Sequence, residues 1–161
     1  MNTPLAIILM GSASDLPHVE KITSALDEFG VAHVQRIASA HKTPAALLEI
    51  LKNYAADPRP KVYITVAGRS NALSGMVDAS VGSPVIACPP ASSSFGGADI
   101  FSSLRMPSGV APLVILEPAN AALAAAKIFA LNDPEIAEKI AAHQDAHRKR
   151  LYEADQEHGS A

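Results

Sequence analysis

The run Leu5-Ala-Ile-Ile-Leu-Met10, followed at once by Gly11-Ser-Ala-Ser-Asp15, decides the fold of this chain. Six consecutive apolar residues that stop at a glycine are typical of a strand buried on both faces, as in a parallel sheet. A helix is predicted after the polar turn, and it ends at Gly30, a favourable residue just beyond a helix. Its apolar stripe has helical spacing and consists of Val19, Ile22, Leu26 and Phe29.

The alternation of strand and helix continues along the chain. Further strands are predicted at 31–37, 62–66, 84–87 and 113–116. One helix starts at Pro44, with Thr43 as its N-cap and with Leu47, Leu48 and Leu51 in its stripe. Other helical segments are predicted at 73–80, 99–104, 120–131 and 134–157, with a serine- and glycine-rich loop at 91–97.

Five strands that alternate with helices predict parallel strands joined by right-handed crossovers. The expected fold class is therefore α/β, a three-layer sandwich with a central five-stranded parallel sheet of flavodoxin or Rossmann type and an added C-terminal helix. Residues 1–161 are expected to form one domain, with its core at about 5–131 and the final helix at about 134–157.

Composition limits the possible functions. Of the 161 residues, 48% are hydrophobic and only 18% are charged, against roughly 25% charged in an ordinary soluble domain. The net charge of −3 argues against a broad surface for nucleic acid or membranes, and no segment approaches the ~20 apolar residues of a membrane span. The single cysteine, Cys88, suits a reducing cytoplasm. The shortage of charge means either that small residues are exposed singly or that other subunits cover apolar surface.

Three polar segments follow predicted strands, namely 11–15, 39–42 and 67–71. Because ligands of parallel α/β sheets bind beyond the carboxyl ends of the strands, these segments are expected to converge on one composite site. In the first segment, Gly11 allows close backbone approach and the helix start attracts phosphate, although Asp15 could equally be a plain helix cap. In the second, His41 suits proton transfer near neutral pH and Lys42 suits an anion.

The third segment, Ala67-Gly-Arg-Ser-Asn71, admits two interpretations. It loosely resembles the nucleophile elbow of serine hydrolases, in which Ser70 would need Asp99 or Asp133 and a base such as His143. Alternatively, it is a polar turn in which Arg69 and Asn71 organise a substrate or a neighbouring loop.

Two further features are expected to be structural. His143 and His147 have the i, i+4 spacing of metal ligands, but the segment is strongly polar and lacks the glutamate of HExxH, which favours a solvated helix face. Cys88, which precedes two prolines, is expected to pack at a strand end.

Taken together, the segments resemble the PurE family of purine biosynthesis over nearly the whole chain, from about residue 5 to 131. The resemblance rests on the order and spacing of these motifs: Met10-Gly-Ser-Ala-Ser-Asp15, Ser39-Ala-His-Lys42, Ala67-Gly-Arg-Ser-Asn71, Cys88-Pro-Pro90, Ser103-Leu-Arg-Met-Pro-Ser-Gly109 and Asn120-Ala-Ala-Leu123. Class I members of this family are mutases that act on N5-carboxyaminoimidazole ribonucleotide. Class II members are carboxylases that join carbon dioxide directly to aminoimidazole ribonucleotide.

The motifs resemble class II, the form also found in animal bifunctional enzymes. Class I has SAHRTP where this chain has Lys42, and AGGAAHLPGM where this chain has Ala67-Gly-Arg-Ser-Asn-Ala-Leu-Ser-Gly-Met76. The second histidine of the class I motif is therefore Ala72 here. Residues 72–74 form a shorter loop than in the animal enzymes, and Thr43-Pro44 also departs from the animal pattern.

The resemblance implies a carboxylase in which His41 is the catalytic acid/base. It implies no ATP, biotin or metal, with CO2 as co-substrate beside the ribonucleotide. It also implies a cytoplasmic homo-octamer whose C-terminal helix reaches a neighbour, with no nucleic acid or membrane partner. The alternatives are a class I mutase and a non-catalytic nucleotide-binding module. The substrate-binding residues implied are Gly11, Ser12, Ser14, Asp15, Ser39, Lys42, Gly68, Arg69, Ser70 and Asn71.

Overall fold

A five-stranded parallel sheet forms the centre of the molecule in the computed structural model, which describes residues 3–159. The strands lie in the order β2-β1-β3-β4-β5, and all neighbours are parallel. Leu5 is paired with Ala32 on one side and with Lys61 on the other. The strands are β1 (Leu5–Met10), β2 (Ala32–Ile37), β3 (Lys61–Val66), β4 (Val85–Ala87) and β5 (Leu113–Val114).

Helices cover both faces of this sheet. One face carries α1 (Leu16–Glu28), α5 (Pro118–Ala130) and α6 (Pro134–His158), and the other carries α2 (Pro44–Ala55) and α3 (Leu73–Asp78). A short helix, α4 (Phe101–Leu104), precedes β5. The predicted three-layer α/β sandwich is thus confirmed.

Strand β1 shows why the sheet is buried on both sides. All six of its side chains are buried, because alternate residues enter different cores. Ala6, Ile8 and Met10 join the core under α1, α5 and α6, whereas Leu5, Ile7 and Leu9 join the core under α2 and α3. Burial of each Leu or Ile side chain stabilises the fold by about 1.5–3 kcal/mol relative to leaving it exposed, so this strand stabilises the packing of both helical layers.

The predicted end of α1 is confirmed in detail. Its four predicted stripe residues are all buried. Gly30 has a φ of 69°, and its amide donates to the carbonyl of Asp27, while the amide of Val31 donates to that of Leu26. This pair of bonds is the Schellman motif, which needs a residue in the left-handed region and therefore favours glycine.

Four local predictions differ from the structure. Leu48 is 47% exposed and Ile50 takes its place in the core, because a residue next to Leu47 is turned about 100° around the helix. Helix α5 begins at Pro118 rather than at residue 120, with proline in its first turn. Strand β5 ends at Val114, and residues Ser94–Ile100 form a 3-10 segment where a loop and a helical turn were expected.

The alanine-rich helix α5 is packed inside the chain. It contacts α1, α6 and the sheet, and the side chains of Ala121, Ala122, Ala125 and Ala126 are fully buried. Small side chains let neighbouring helices approach closely. Part of the unusual composition therefore serves packing within the chain itself. No helix among residues 3–159 is both long and apolar enough to cross a membrane.

Candidate active site

A polar cleft of ≈ 710 Å³ opens at the carboxyl edge of the sheet. Its walls come from the segments that follow β1, β2, β3 and β4. The strand order reverses between β1 and β3, which is where parallel α/β sheets bind ligands. The two strand ends are tied together there, because the amide of Gly11 donates to the carbonyl of Val66 at 2.9 Å. The cleft thus lies where the sequence predicted a composite site.

The segment after β1 is a self-contained capping box around a 3-10 turn, Ala13–Asp15. The amide of Ser12 donates to Asp15 Oδ2 at 3.1 Å, and the amide of Ser14 donates to Ser12 Oγ at 3.3 Å. The Ser14 hydroxyl also donates to Ser12 Oγ, at 2.9 Å. Since Ser12 Oγ accepts two bonds, its own proton is left as a donor. Burial raises the pKa of the Asp15 carboxyl, against the opposing effects of the Ser12 amide and His18.

The segment after β2 presents His41 and Lys42 to the cleft, and both side chains are exposed. Ser39 and Thr43 hold the turn: the Ser39 amide donates to Thr43 Oγ1 at 2.9 Å, and the Lys42 amide donates to Ser39 Oγ at 3.2 Å. Thr43 is the N-cap residue of α2, as predicted, but its hydroxyl bonds to Ser39 rather than to the helix. The side chains of Ser39 and Thr43 therefore fix the turn and leave the imidazole of His41 and the ammonium group of Lys42 facing the cleft.

The segment after β3 divides into cleft and core residues. Gly68, Arg69 and Ser70 line the cleft. Asn71 is 4% exposed and lies outside the lining, where its side-chain amide donates to Ser103 Oγ at 2.9 Å. Asn71 thus organises a neighbouring segment of chain, which was one of the two roles that the sequence suggested for it.

Ten of the eleven residues expected at the site line this one cleft. They are Gly11, Ser12, Ser14, Asp15, Ser39, His41, Lys42, Gly68, Arg69 and Ser70.

A fourth wall was not assigned from the sequence. It is the segment from Pro90 to Ser94, which brings the side chains of Ser92, Ser93 and Ser94 to the cleft. The same rule of carboxyl strand ends could have found it, because these residues follow β4 after the Cys88-Pro-Pro turn. A second cavity of ≈ 260 Å³ adjoins the cleft, and the two share the lining residues Ala67, Gly68, Arg69, Pro90, Ala91 and Ser92.

Cys88 is an unreactive thiol beside a histidine. It is fully buried, and burial together with nearby Glu117 raises its pKa to about 12. Its Sγ lies 3.3 Å from Nε2 of His18, whose own pKa is lowered chiefly by burial. Cys88 packs at the end of β4 as predicted, while His18, seventy positions away in sequence, carried no local signal of this contact.

Neither the serine hydrolase arrangement nor the His143–His147 pair considered from the sequence assembles at the cleft. Ser70 lies in it, but His143 packs edge-on against Phe29 with ring centroids 5.2 Å apart. The rings of His143 and His147 are 4.6 Å apart. Within residues 3–159, no group of three or more His, Cys, Asp or Glu side chains could hold a metal ion.

A doubly wound parallel sheet with a polar cleft at its switch point defines the class of α/β proteins that bind small ligands at that edge. Residues 5–150 match the family model of AIR carboxylase (AIRC), and the chain belongs to this family.

Its relatives include proteins of similar length and longer, bifunctional proteins. A phosphoribosylaminoimidazole carboxylase of Archaeoglobus fulgidus is 59% identical over 152 residues, which cover 94% of this chain and 83% of that protein. A bifunctional phosphoribosylaminoimidazole carboxylase/phosphoribosylaminoimidazole succinocarboxamide synthetase of Rattus norvegicus is 44% identical over 84% of this chain and 32% of its own length. The crystal structure of Treponema denticola PurE matches with a TM-score of 0.96 and 55% identity, covering 98% of this chain and 99% of that one.

Proposed function

We propose that this chain is a class II aminoimidazole ribonucleotide carboxylase, which adds CO2 directly to C4 of the ribonucleotide in purine biosynthesis. One observation carries the proposal: among residues 3–159, His41 is the single imidazole that lines the cleft. Ala72, which occupies the place of the second histidine in the mutase motif, also lines the cleft and brings no proton-transfer group. Relatives named as phosphoribosylaminoimidazole carboxylases support the broader assignment to this ribonucleotide's carboxylation.

One acid/base is enough for this reaction. The exocyclic amine makes the imidazole of the substrate an enamine-like nucleophile at C4. The π electron pair at C4 forms the bond to the carbon of CO2, and one C=O electron pair moves onto oxygen to give a carboxylate. The tetrahedral C4 then loses its proton to His41, and the C4–H electron pair restores the aromatic ring. No electrons are gained or lost overall, so the step needs no redox partner.

The capping box is proposed to bind the phosphate and ribose. The amides of Ser12 and Ser14 are engaged inside the turn, so the phosphate is expected on hydroxyl protons, above all the free donor of Ser12. Asp15 is suited to accept hydrogen bonds from the ribose hydroxyls. Ser39 and Gly11 lie nearby in the same cleft.

Lys42 supplies a cation for either the phosphate or the new carboxylate. Arg69, Ser70 and Asn71 are proposed to shape the CO2 end of the cleft, Asn71 from outside its lining. The reaction is proposed to need no ATP, biotin or metal, because the substrate is already nucleophilic and CO2 is the only co-substrate. We further propose a cytoplasmic location and a homo-octameric assembly, with no nucleic-acid or membrane partner.

The experiment that tests this function is an assay of the purified protein with each ribonucleotide, with and without bicarbonate. Consumption of aminoimidazole ribonucleotide that depends on bicarbonate is expected. Conversion of N5-carboxyaminoimidazole ribonucleotide without any response to CO2 would identify the mutase instead. Ligand binding without turnover of either compound would identify a nucleotide-binding module.

A further inference from the structure

The turn from Gly68 to Asn71 has a backbone conformation that must be held in place. Arg69 has a φ of 58°, in the left-handed region that a residue with a Cβ rarely adopts. Its side chain is exposed at the cleft and makes no part of the hydrophobic cores. Such strained residues persist only where surrounding contacts over-determine them, and they concentrate at functional sites.

Two serines of α4, Ser102 and Ser103, make hydrogen bonds that hold this turn. The amide of Asn71 donates to Ser102 Oγ at 2.9 Å. The Ser102 hydroxyl lies 2.7 Å from the carbonyl oxygen of Asp99 and 3.2 Å from that of Arg69, and shares its single proton between them. The side-chain amide of Asn71 donates to Ser103 Oγ, and Ser103 is 1% exposed. Ser102 therefore bonds to the backbone on both sides of Ser70.

Asn71 is also fixed from the other side. Its Oδ1 accepts a bond from the amide of Ser74 at 3.2 Å, in the first turn of α3. The turn is thus clamped between α3 and α4 through side chains that lie outside the large cleft, whereas the residues that they clamp, Arg69 and Ser70, line it.

We infer that Ser102, together with Ser103 and Asn71, is a positioning residue that fixes Arg69 and Ser70 at the CO2 end of the cleft. This role rests on the proposed function, because its consequence is a rate of carboxylation. Ser102 acts through the backbone of the turn and Ser103 through the side chain of Asn71, and the groups that face the substrate are those of Arg69 and Ser70. Misplacement of such groups by a fraction of an ångström costs turnover more than ground-state binding.

The test compares Ser102→Ala with Ser102→Thr, which keeps the hydroxyl. Ser80→Ala is the matched control, because Ser80 lies just beyond the C-terminal end of α3 and outside the cleft, and its Oγ donates to the carbonyl of Met76 at 2.7 Å. We expect kcat of Ser102→Ala to fall about tenfold with an unchanged KM for the ribonucleotide. We also expect Ser102→Thr to recover most of the rate and Ser80→Ala to keep it.

Amide hydrogen exchange supplies a readout that does not depend on activity. The amide of Asn71 loses its acceptor in Ser102→Ala and should exchange faster than in the parent protein or in Ser80→Ala. Faster exchange with an unchanged kcat would overturn the positioning role, as would an unchanged exchange rate or a threonine variant as slow as the alanine variant. If the parent protein itself shows no carboxylation, the proposed function fails, and the exchange comparison alone then decides whether Ser102 holds the turn.

Discussion

Replacement of His41 by asparagine tests the proposed chemistry most directly. Asparagine keeps a polar side chain of moderate size but cannot accept the C4 proton. A positioned general base contributes about 10²- to 10⁴-fold to a rate, which corresponds to roughly 3–5 kcal/mol of activation free energy. We therefore expect kcat of His41→Asn to fall by at least about a hundredfold, while KM for the ribonucleotide stays near that of the parent enzyme.

The structure indicates that this loss will not come from unfolding. The His41 side chain is exposed, and its turn is held by bonds between Ser39 and Thr43 rather than by the imidazole. Substitutions at such surface positions usually change the free energy of unfolding by less than about 0.5 kcal/mol. Urea denaturation of the variant should therefore give the midpoint of the parent protein.

The assay follows the loss of aminoimidazole ribonucleotide in bicarbonate buffer. His33→Asn is the matched control, because His33 lies on β2, the strand that precedes the His41 turn, and outside the cleft. His33 Nε2 contacts Asp27 Oδ1 at 3.0 Å, and loss of one such surface contact costs less than about 1 kcal/mol. Near-normal turnover of His41→Asn would refute the assignment, and so would an equal loss of turnover in His33→Asn.

Three further predictions follow from single features of the structure, and a fourth, on the oligomeric state, follows from the proposed function. In Lys42→Ala, KM for the ribonucleotide should rise about tenfold or more if the ammonium group holds the phosphate, because a hydrogen bond to a charged group contributes about 1.5–3 kcal/mol. A loss of kcat with an unchanged KM would assign Lys42 to the carboxylate. In Gly11→Ala, the new Cβ would lie 3.5 Å from that of Ala67 and no closer to any other atom outside its chain neighbours, so the melting temperature should stay unchanged. Calorimetry should show weaker ribonucleotide binding, because the methyl group would occupy space that the ligand needs. Unchanged binding would exclude a close approach of the ligand to Gly11. The pKa of the Cys88 thiol is about 12 in the folded state, against about 9 in the unfolded chain. Between these pH values only the unfolded chain loses the thiol proton, so the free energy of unfolding should fall by about 1.4 kcal/mol per pH unit. Plots of unfolding free energy against pH for the parent protein and Cys88→Ala should then diverge over that range, and parallel plots would contradict the raised pKa. Light scattering at micromolar concentration should show an octamer, and a monomer would contradict the proposed assembly.

The site could be predicted from the sequence to the extent that it follows one topological rule. Polar segments directly after buried strands converge because parallel strands end at the same edge. This rule places the segments after β1, β2 and β3 correctly in one cleft. It could not show that Asn71 turns away from the cleft, because the partners that hold it, Ser102 and Ser103, are more than thirty positions distant.

The fold itself was encoded mainly in local patterns. The apolar run of β1 and the stripe of α1 predict their own burial, because the spacing of side chains sets which face of an element is dry. Leu48 shows the limit of such patterns: three leucines within five residues suggested one stripe, and only the packed helix showed that Ile50 takes the buried position.

By itself, the sequence determined the class of the sheet, the presence of a helical layer on each of its faces, and most of the residues that gather at its edge. These features follow from the local spacing of apolar and polar side chains. Only the tertiary structure decided the strand order, the contact of His18 with Cys88, and the clamp on the strained turn at Arg69. Each of these depends on pairing between residues far apart in the chain, and such pairing is selected by the packing of the whole molecule rather than by any local pattern.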